Sequence, residues 1–303
     1  MQDIHQSSTY AQFMNKIGWN VENIDGVNIF IKKLPLLPAV MKLQRSDKLP
    51  QLNKLKLLMQ KYHSHSISVE PNVIARSPKD DVAISNLKSL TSPFLPTKTI
   101  FIDLLPDESE IFNKFSGAKR KAVRRAQNLG VEIFHSNNIE DFIKLKGSSA
   151  GFLGFLTTQT LKPIWKTFAP NNAFILLAKI NIAHYSSNSV LPNEKLLKIS
   201  SRSAKQDSNN KFIAGVLILI WQNTAYYWMA AASNAGKQNF APTLLIWESL
   251  KKAKKMNCTN FDFEGIYDER YEKLNKEWLG FSKFKSGFGG KEIYFPQSFK
   301  INL

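Results

Sequence analysis

Two apolar runs, Phe212 to Trp221 and Ala225 to Ala232, flank Gln222-Asn223-Thr224, and this pattern constrains the fold more than any other stretch of the chain. β-branched and aromatic residues on both sides of a short polar break predict a β-hairpin. A helix is predicted next, Ala241 to Met256, with Pro242 in its first turn, where the missing N–H costs nothing. Asn260 to Gly265 then reads as a strand, with Phe261 and Phe263 on one face and Asp262 and Glu264 on the other. Strand, strand, helix and strand in that order make an α/β chain.

The rest of the sequence repeats this mixture. Val27 to Ile31, Ser66 to Glu70, Thr99 to Leu104, Val131 to Phe134 and Ala173 to Asn181 read as strands. Leu52 to His63, Ile139 to Leu145 and Leu161 to Phe168 carry helical spacing. Helices are also expected from Asp107 and from Ser116, with Ser116 as N-cap and Gly130 just past the end. The polar stretch 184–211, rich in Ser, Asn and Lys, reads as a long, mobile surface loop. A length of 303 residues suits two domains or one large one.

Charge narrows the partners. The formal net charge is +17, which points to a polyanion: nucleic acid, an anionic membrane surface or a phosphate-rich substrate. A lysine-rich surface that only solvates the protein is the plainer explanation. One cysteine, Cys258, rules out an intramolecular disulfide and any cysteine-built metal site. The five histidines are scattered, and no metal ligand set is expected. Met1 to Met14 lacks the basic and apolar regions of a signal peptide, and the longest apolar run is too short to span a bilayer as a helix. A soluble protein of the reducing cytoplasm is expected, with room for peripheral contact with the inner membrane face.

Three segments could carry chemistry. Lys119, Arg120, Lys121, Arg124 and Arg125 crowd one helix, with no acidic residue between Lys114 and Leu129. Like charges at i,i+4 repel by a few tenths of a kcal/mol per pair, a cost that a bound phosphate backbone would offset; a solvated basic face fits equally well. Tyr226-Tyr227-Trp228 places Tyr227 on the face opposite its two neighbours, so one of these aromatics can reach a cleft. Phe281-Ser-Lys-Phe-Lys-Ser-Gly-Phe-Gly-Gly290 sets lysines beside glycine-rich chain, where a cation could meet the oxyanion of an acyl transfer. No Walker sequence, no dinucleotide glycine motif and no His-x-x-x-His spacing occurs.

Taken in order, these segments resemble the Fem family, the aminoacyltransferases that build peptidoglycan interpeptide bridges. The resemblance covers nearly the whole chain. It is diffuse in Phe13 to Trp19 and in Val69-Glu70-Pro71, and clearer in Lys114 to Val131. It is strongest in Tyr226 to Ser233, Gly236 to Ala253, Phe261 to Gly265 and Gly280 to Gly290. It implies an α/β (α+β) fold of two GCN5-acetyltransferase-like domains, each a mixed sheet flanked by helices. The first would span 1–97, the second 98–295, and the tail 296–303 would return to the first. No heptad insertion marks a coiled-coil arm, so the chain looks like the short, armless, FemX-like kind.

The resemblance also implies a reaction: an amino acid moves from aminoacyl-tRNA to a stem-peptide amine of a nucleotide- or lipid-linked muropeptide precursor. No cofactor is implied, and a monomer is expected. Carried over by position, Lys285 stabilises charge and Phe284 orients the reacting carbonyl. Lys16 lies near the lysine that meets the precursor's phosphates. Tyr227 is the substrate-contacting aromatic, with Trp228 as the alternative, and Glu70 is an acidic position in the cleft. A family arginine expected between Leu156 and Lys162 is absent, and Lys162 stands in for it.

Other functions compete. An acyl-CoA-dependent N-acyltransferase on the same fold would need a pyrophosphate loop, Arg/Gln-x-x-Gly-x-Gly/Ala, and Asn234 to Pro242 lacks it. Transfer from tRNA to a lipid is a second alternative. A non-catalytic RNA-binding protein would account for the charge but not for Phe281 to Gly290.

Overall fold

The computed structural model describes residues 2–72, 88–89, 93–149, 158–181, 211–271 and 276–303. Two mixed sheets carry the architecture. In chain order their strands are β1 (Asn20–Ile24), β2 (Val27–Leu34), β3 (Leu37–Ser46), β4 (Ser66–Pro71), β5 (Lys88–Ser89), β6 (Lys98–Asp103), β7 (Val131–Ser136), β8 (Ala173–Ile180), β9 (Ala214–Trp221), β10 (Thr224–Ala232), β11 (Asn260–Asp262), β12 (Lys291–Tyr294) and β13 (Phe299–Asn302). The helices are α1 (Ser8–Lys16), α2 (Leu52–Lys61), α3 (Glu108–Asn113), α4 (Gly117–Asn128), α5 (Ile139–Ser149), α6 (Leu161–Phe168), α7 (Asn234–Gln238), α8 (Ala241–Lys255) and α9 (Trp278–Ser286).

The first sheet has the order β1-β2-β3-β4-β13-β5, and the second β12-β6-β11-β10-β9-β8-β7. Each sheet holds one parallel pair with a helix in the connection: β3 and β4 through α2, and β10 and β11 through α7 and α8. All other pairs are antiparallel. A parallel pair requires a crossover, and a helix is its usual form. The C-terminal strand β13 lies against β4, so the last residues join the sheet built from the first seventy.

Burial explains the apolar runs that fix the hairpin. In β9, Val216, Ile218 and Ile220 pack under α4 and α8, while Leu217 and Leu219 pack on the opposite face. A strand covered on both faces reads as a continuous apolar run rather than an alternating one. The second of these faces is covered by α5 and α6 and also by α1 and β2, through Tyr10, Phe13, Met14 and Phe30. The N-terminal helix therefore cements the first sheet to the second. A separate core, which includes Ile29, Ile31, Met41, Leu55, Met59 and Ile67, fills the space between the first sheet and α2.

Caps set several helix starts. Ser116 Oγ accepts from Lys119 N, and Gly130 takes a φ of 70° just past α4. Three expectations change. The segment before Val27 contains β1, joined to β2 at Asp25 and Gly26, both at positive φ, a turn suited to a tight hairpin. Strand β3 escaped the sequence pattern because Lys42, Gln44 and Arg45 interrupt its apolar residues yet are buried. Strand β11 stops at Asp262 instead of running to Gly265, because Glu264 and Gly265 turn the chain at φ 53° and 110°. The predicted mobile loop 184–211 lies outside the described residues except for Lys211.

Candidate active site

The site forms where two strands part. β10 and β11 pair only over Thr224–Tyr226 and Asn260–Asp262. β10 continues to Ala232 with a bulge between Tyr227 and Met229, while the other chain turns away at Glu264. The turn is held from beneath. Buried Asp262 accepts from Glu264 N at 2.8 Å and from Thr99 Oγ1 at 2.5 Å, and Gly265 N donates to Thr99 Oγ1 at 3.1 Å. Asp262 is thus an internal brace, and burial raises its pKa.

Helix α9 supplies the cation. The first part of the Phe281 to Gly290 motif, through Ser286, is the end of this helix. Ser282 Oγ accepts from Tyr267 N at 2.7 Å, which clamps the segment after Gly265 against α9. One turn later, Lys285 Nζ donates to Phe263 O at 2.8 Å and to Gly265 O at 2.6 Å. It lies 5.6 Å from the centre of the Tyr227 ring and 4.8 Å from that of Phe281. An ammonium has three donors, so one remains for a ligand. Burial pulls the Lys285 pKa down to about 8.

Glu264, half-buried, lies at the turn itself, where the Lys285 charge reaches it. Its carboxylate makes no hydrogen bond among the described residues, and burial, followed by the charges of Asp262 and Asp3, raises its pKa well above the usual range. A carboxylate without partners, held near a cation at the mouth of a split sheet, is equipped to take up a proton.

The predicted residues divide. Lys285, Phe284 and Tyr227 share one neighbourhood: Phe284 packs on Phe288, 5.3 Å between ring centres, and Tyr227 on Phe263, 5.6 Å. Burial raises the Tyr227 pKa, so its hydroxyl stays protonated. Trp228 lies on the other face of β10, 5.8 Å from His5 and 6.2 Å from Tyr10. Glu70 is fully buried at the end of β4, where it accepts from Gln44 Nε2 at 3.0 Å and from the amides of Phe94 and Leu95. Those bonds give it an anchoring task. Lys16 is exposed at the end of α1, with Nζ 3.0 Å from Thr167 Oγ1. Lys162 is exposed on α6 and paired with Glu140 at 2.7 Å, so its charge is already answered.

The basic helix splits likewise. Lys121, Arg124 and Arg125 are exposed on α4. Arg120 is turned inward, donating to Asn113 O at 2.9 Å and to Phe115 O. Lys119 stacks on Phe284, with Nζ 3.5 Å from the ring centre, and burial lowers its pKa to about 8. A Cβ at Gly287 would lie 2.7 Å from Lys119 Cε, so the small residue there makes room for the stack. The basic face of α4 therefore runs directly into the helix that carries Lys285.

Sequence reasoning missed three groups. Glu264 looked like a strand residue, and only the turn at its own φ frees its side chain. Lys42 is buried between the rings of Trp19, Phe30 and Phe94, at 4.3, 6.0 and 5.5 Å, and its pKa falls to about 8 because of that burial. His5 Nδ1 bonds Asp3 at 2.7 Å, while Nε2 is buried with no hydrogen-bond partner among the described residues. No local pattern marks these residues, because their neighbours come from distant segments. The amides of Gly236, Lys237, Asn239 and Phe240 are all bonded within the segment that starts at Ser233.

Comparison with known proteins follows the same outline. The FemAB family model matches residues 192–302, the part that holds Tyr227, Glu264, Phe284 and Lys285. No curated protein matches the sequence. Among solved structures, FemX is similar over 99% of this chain and 92% of its own, at 18% identity and a TM-score of 0.72. L-PGS from Bacillus licheniformis is similar over 96% and 85%, at 11% identity and 0.54. A tandem GNAT protein from the clavulanic acid biosynthesis pathway is similar over 91% and 78%, at 9% and 0.50. At such identities the structures speak for the fold alone, two mixed sheets flanked by helices, while the family model speaks for residues 192–302. Residues 192–302 thus carry the FemAB family pattern, within a chain whose fold is similar to that of FemX.

Proposed function

We propose that this protein is a peptidoglycan-related aminoacyltransferase that moves an amino acid from aminoacyl-tRNA to the stem-peptide amine of a muropeptide precursor. The observation that carries the reading is Lys285, fixed on Phe263 O and Gly265 O with one donor left and within electrostatic reach of the Glu264 carboxylate, which has no hydrogen bond among the described residues. The neutral amine attacks the ester carbonyl, and a C–N bond forms. The carbonyl oxygen becomes an oxyanion that the remaining Lys285 donor stabilises. Glu264 takes the proton from the attacking nitrogen and returns it to the ribose oxygen as the C–O bond breaks. Tyr227 and Phe284 form the wall that orients the ester.

The donor reading draws support from two features. Lys121, Arg124 and Arg125 offer a phosphate-binding face that Lys119 links to Phe284. Asn234 to Pro242 lacks the pyrophosphate-loop sequence, and the amides of Gly236, Lys237, Asn239 and Phe240 are bonded within that segment. Action as a monomer in the cytoplasm fits this reading, and no described helix is long and apolar enough to cross a membrane.

The test is a transfer assay with a panel of charged tRNAs, nucleotide-linked and lipid-linked muropeptides, and acetyl-CoA as rival donor. Transfer from at least one charged tRNA to a muropeptide amine is expected. Turnover with acetyl-CoA alone would sink the reading.

A further inference from the structure

The β2–β3 turn carries an apolar tip that is exposed among the described residues. Leu34, Pro35, Leu36, Leu37 and Pro38 are all exposed in sequence, with Leu34, Leu36 and Leu37 at 37%, 104% and 65%. Strand pairing continues to Leu34 and Leu37, so the two-residue turn is the outermost point of the hairpin. Leu36 has a φ of 59°, in a region where glycine or asparagine is the low-energy choice. The chain thus accepts backbone strain to hold a leucine fully in water, with a proline two residues on and another just before it. Exposed runs of this kind are errors unless they have a use.

Charge around the tip has one sign. Lys33 is exposed beside it, and Lys32 reaches back to Ile17 O and Gly18 O at 3.1 and 2.8 Å. Lys16 sits at the same end of α1. None of these three lysines has a carboxylate partner among the described residues, and Glu22 of the neighbouring strand is taken by Lys61 at 2.8 Å.

We propose that this tip is a membrane wedge, in which Leu36 and Leu37 insert among the headgroups of an anionic bilayer while the lysines meet lipid phosphates. A convex tip offering only a few hundred Å² of apolar surface falls well short of the roughly 1,200 Å² that a stable protein interface buries. A bilayer needs no matching groove, and apolar insertion combined with basic residues is how peripheral proteins hold to one. The overall charge of +17 adds long-range attraction. Arg45, whose charge acts on Glu264, lies at the far end of β3 from the tip, about 25 Å away at a strand's rise per residue, so the candidate site stays clear of the surface. The wedge stands apart from the transferase reading, because binding to vesicles needs neither donor nor acceptor.

The experiment is co-sedimentation of the full chain with vesicles of equal parts phosphatidylglycerol and phosphatidylcholine, and with phosphatidylcholine alone. Wild-type protein is expected to bind the anionic vesicles, less so at high salt. The double variant Leu36→Ser, Leu37→Ser should bind at least about tenfold more weakly with an unchanged melting temperature. Sedimentation velocity of both proteins accompanies the assay. Wild-type protein that does not bind, a serine variant that binds equally well, or a wild-type dimer that the serine changes dissolve would each overturn the proposal.

Discussion

Replacing Lys285 with methionine separates charge from packing at the candidate site. The ammonium is held on two backbone carbonyls and is buried. Its pKa falls from 10.5 to about 8, which corresponds to roughly 3 kcal/mol of penalty against the charged form. Methionine relieves that penalty but strips Phe263 O and Gly265 O of their donors, at about 1–3 kcal/mol each. The two effects offset, so stability should change by no more than about 2 kcal/mol. The rate has no such compensation. Losing one oxyanion donor costs about 10²–10³ in kcat, or roughly 3–4 kcal/mol. Stability against pH gives a second readout. Between pH 8 and 10.5 the folded lysine binds fewer protons than the unfolded one, so wild-type stability rises with pH there by the Lys285 contribution. Methionine removes that part of the rise, while Lys42 and Lys119, also near 8, contribute to both proteins. Wild-type transfer should decline above pH 8 as the ammonium is lost. Single-turnover transfer from charged tRNA and urea melts across this range measure both effects. A methionine variant within threefold of the wild-type rate, or a wild-type rate flat to pH 9.5, would refute the role of Lys285.

Three more outcomes are expected. Glu264→Gln should raise stability at neutral pH, because the raised folded pKa makes the ionised carboxylate a burden there, yet lower transfer by about 10²-fold; an undiminished rate would remove Glu264 from the mechanism. Lys121→Ala, Arg124→Ala and Arg125→Ala together should flatten the slope of log affinity for tRNA against log salt by about 2–3, whereas an unaltered slope would make α4 a solvated face. Gly290→Ala should cost about 2–4 kcal/mol in a urea melt, since φ is 93° and a Cβ would lie 2.5 Å from Phe101 O; a loss under about 0.5 kcal/mol would contradict that crowding.

Local pattern located much of the candidate site without assembling it. Phe284, Lys285 and Tyr227 each sit in a short motif that the family resemblance singled out, and the structure gathers them within one neighbourhood. Lys16, Lys162 and Glu70, carried over by the same resemblance, lie in other surroundings. Two of them are exposed, and the third is engaged by Gln44, Phe94 and Leu95. The five cations of α4 looked alike in sequence. Packing against α9 and the turn before α4 separates Lys119 and Arg120 from the three that face water.

What the sequence by itself determined is the set of elements that depend on near neighbours. The hairpin of β9 and β10, the cap at Ser116 and the helix of α8 follow from residues a few positions apart, because hydrogen bonds and side-chain spacing at that range are written in the local order. Tertiary structure alone decided which polar groups lose water and which charges meet. Glu264 gains its raised pKa from burial beside Asp262 and Asp3, residues brought together from opposite ends of the chain. Lys285 becomes a fixed donor only because α9 packs against the turn after β11. Desolvation and electrostatics act through space, and a linear order of residues does not record those distances.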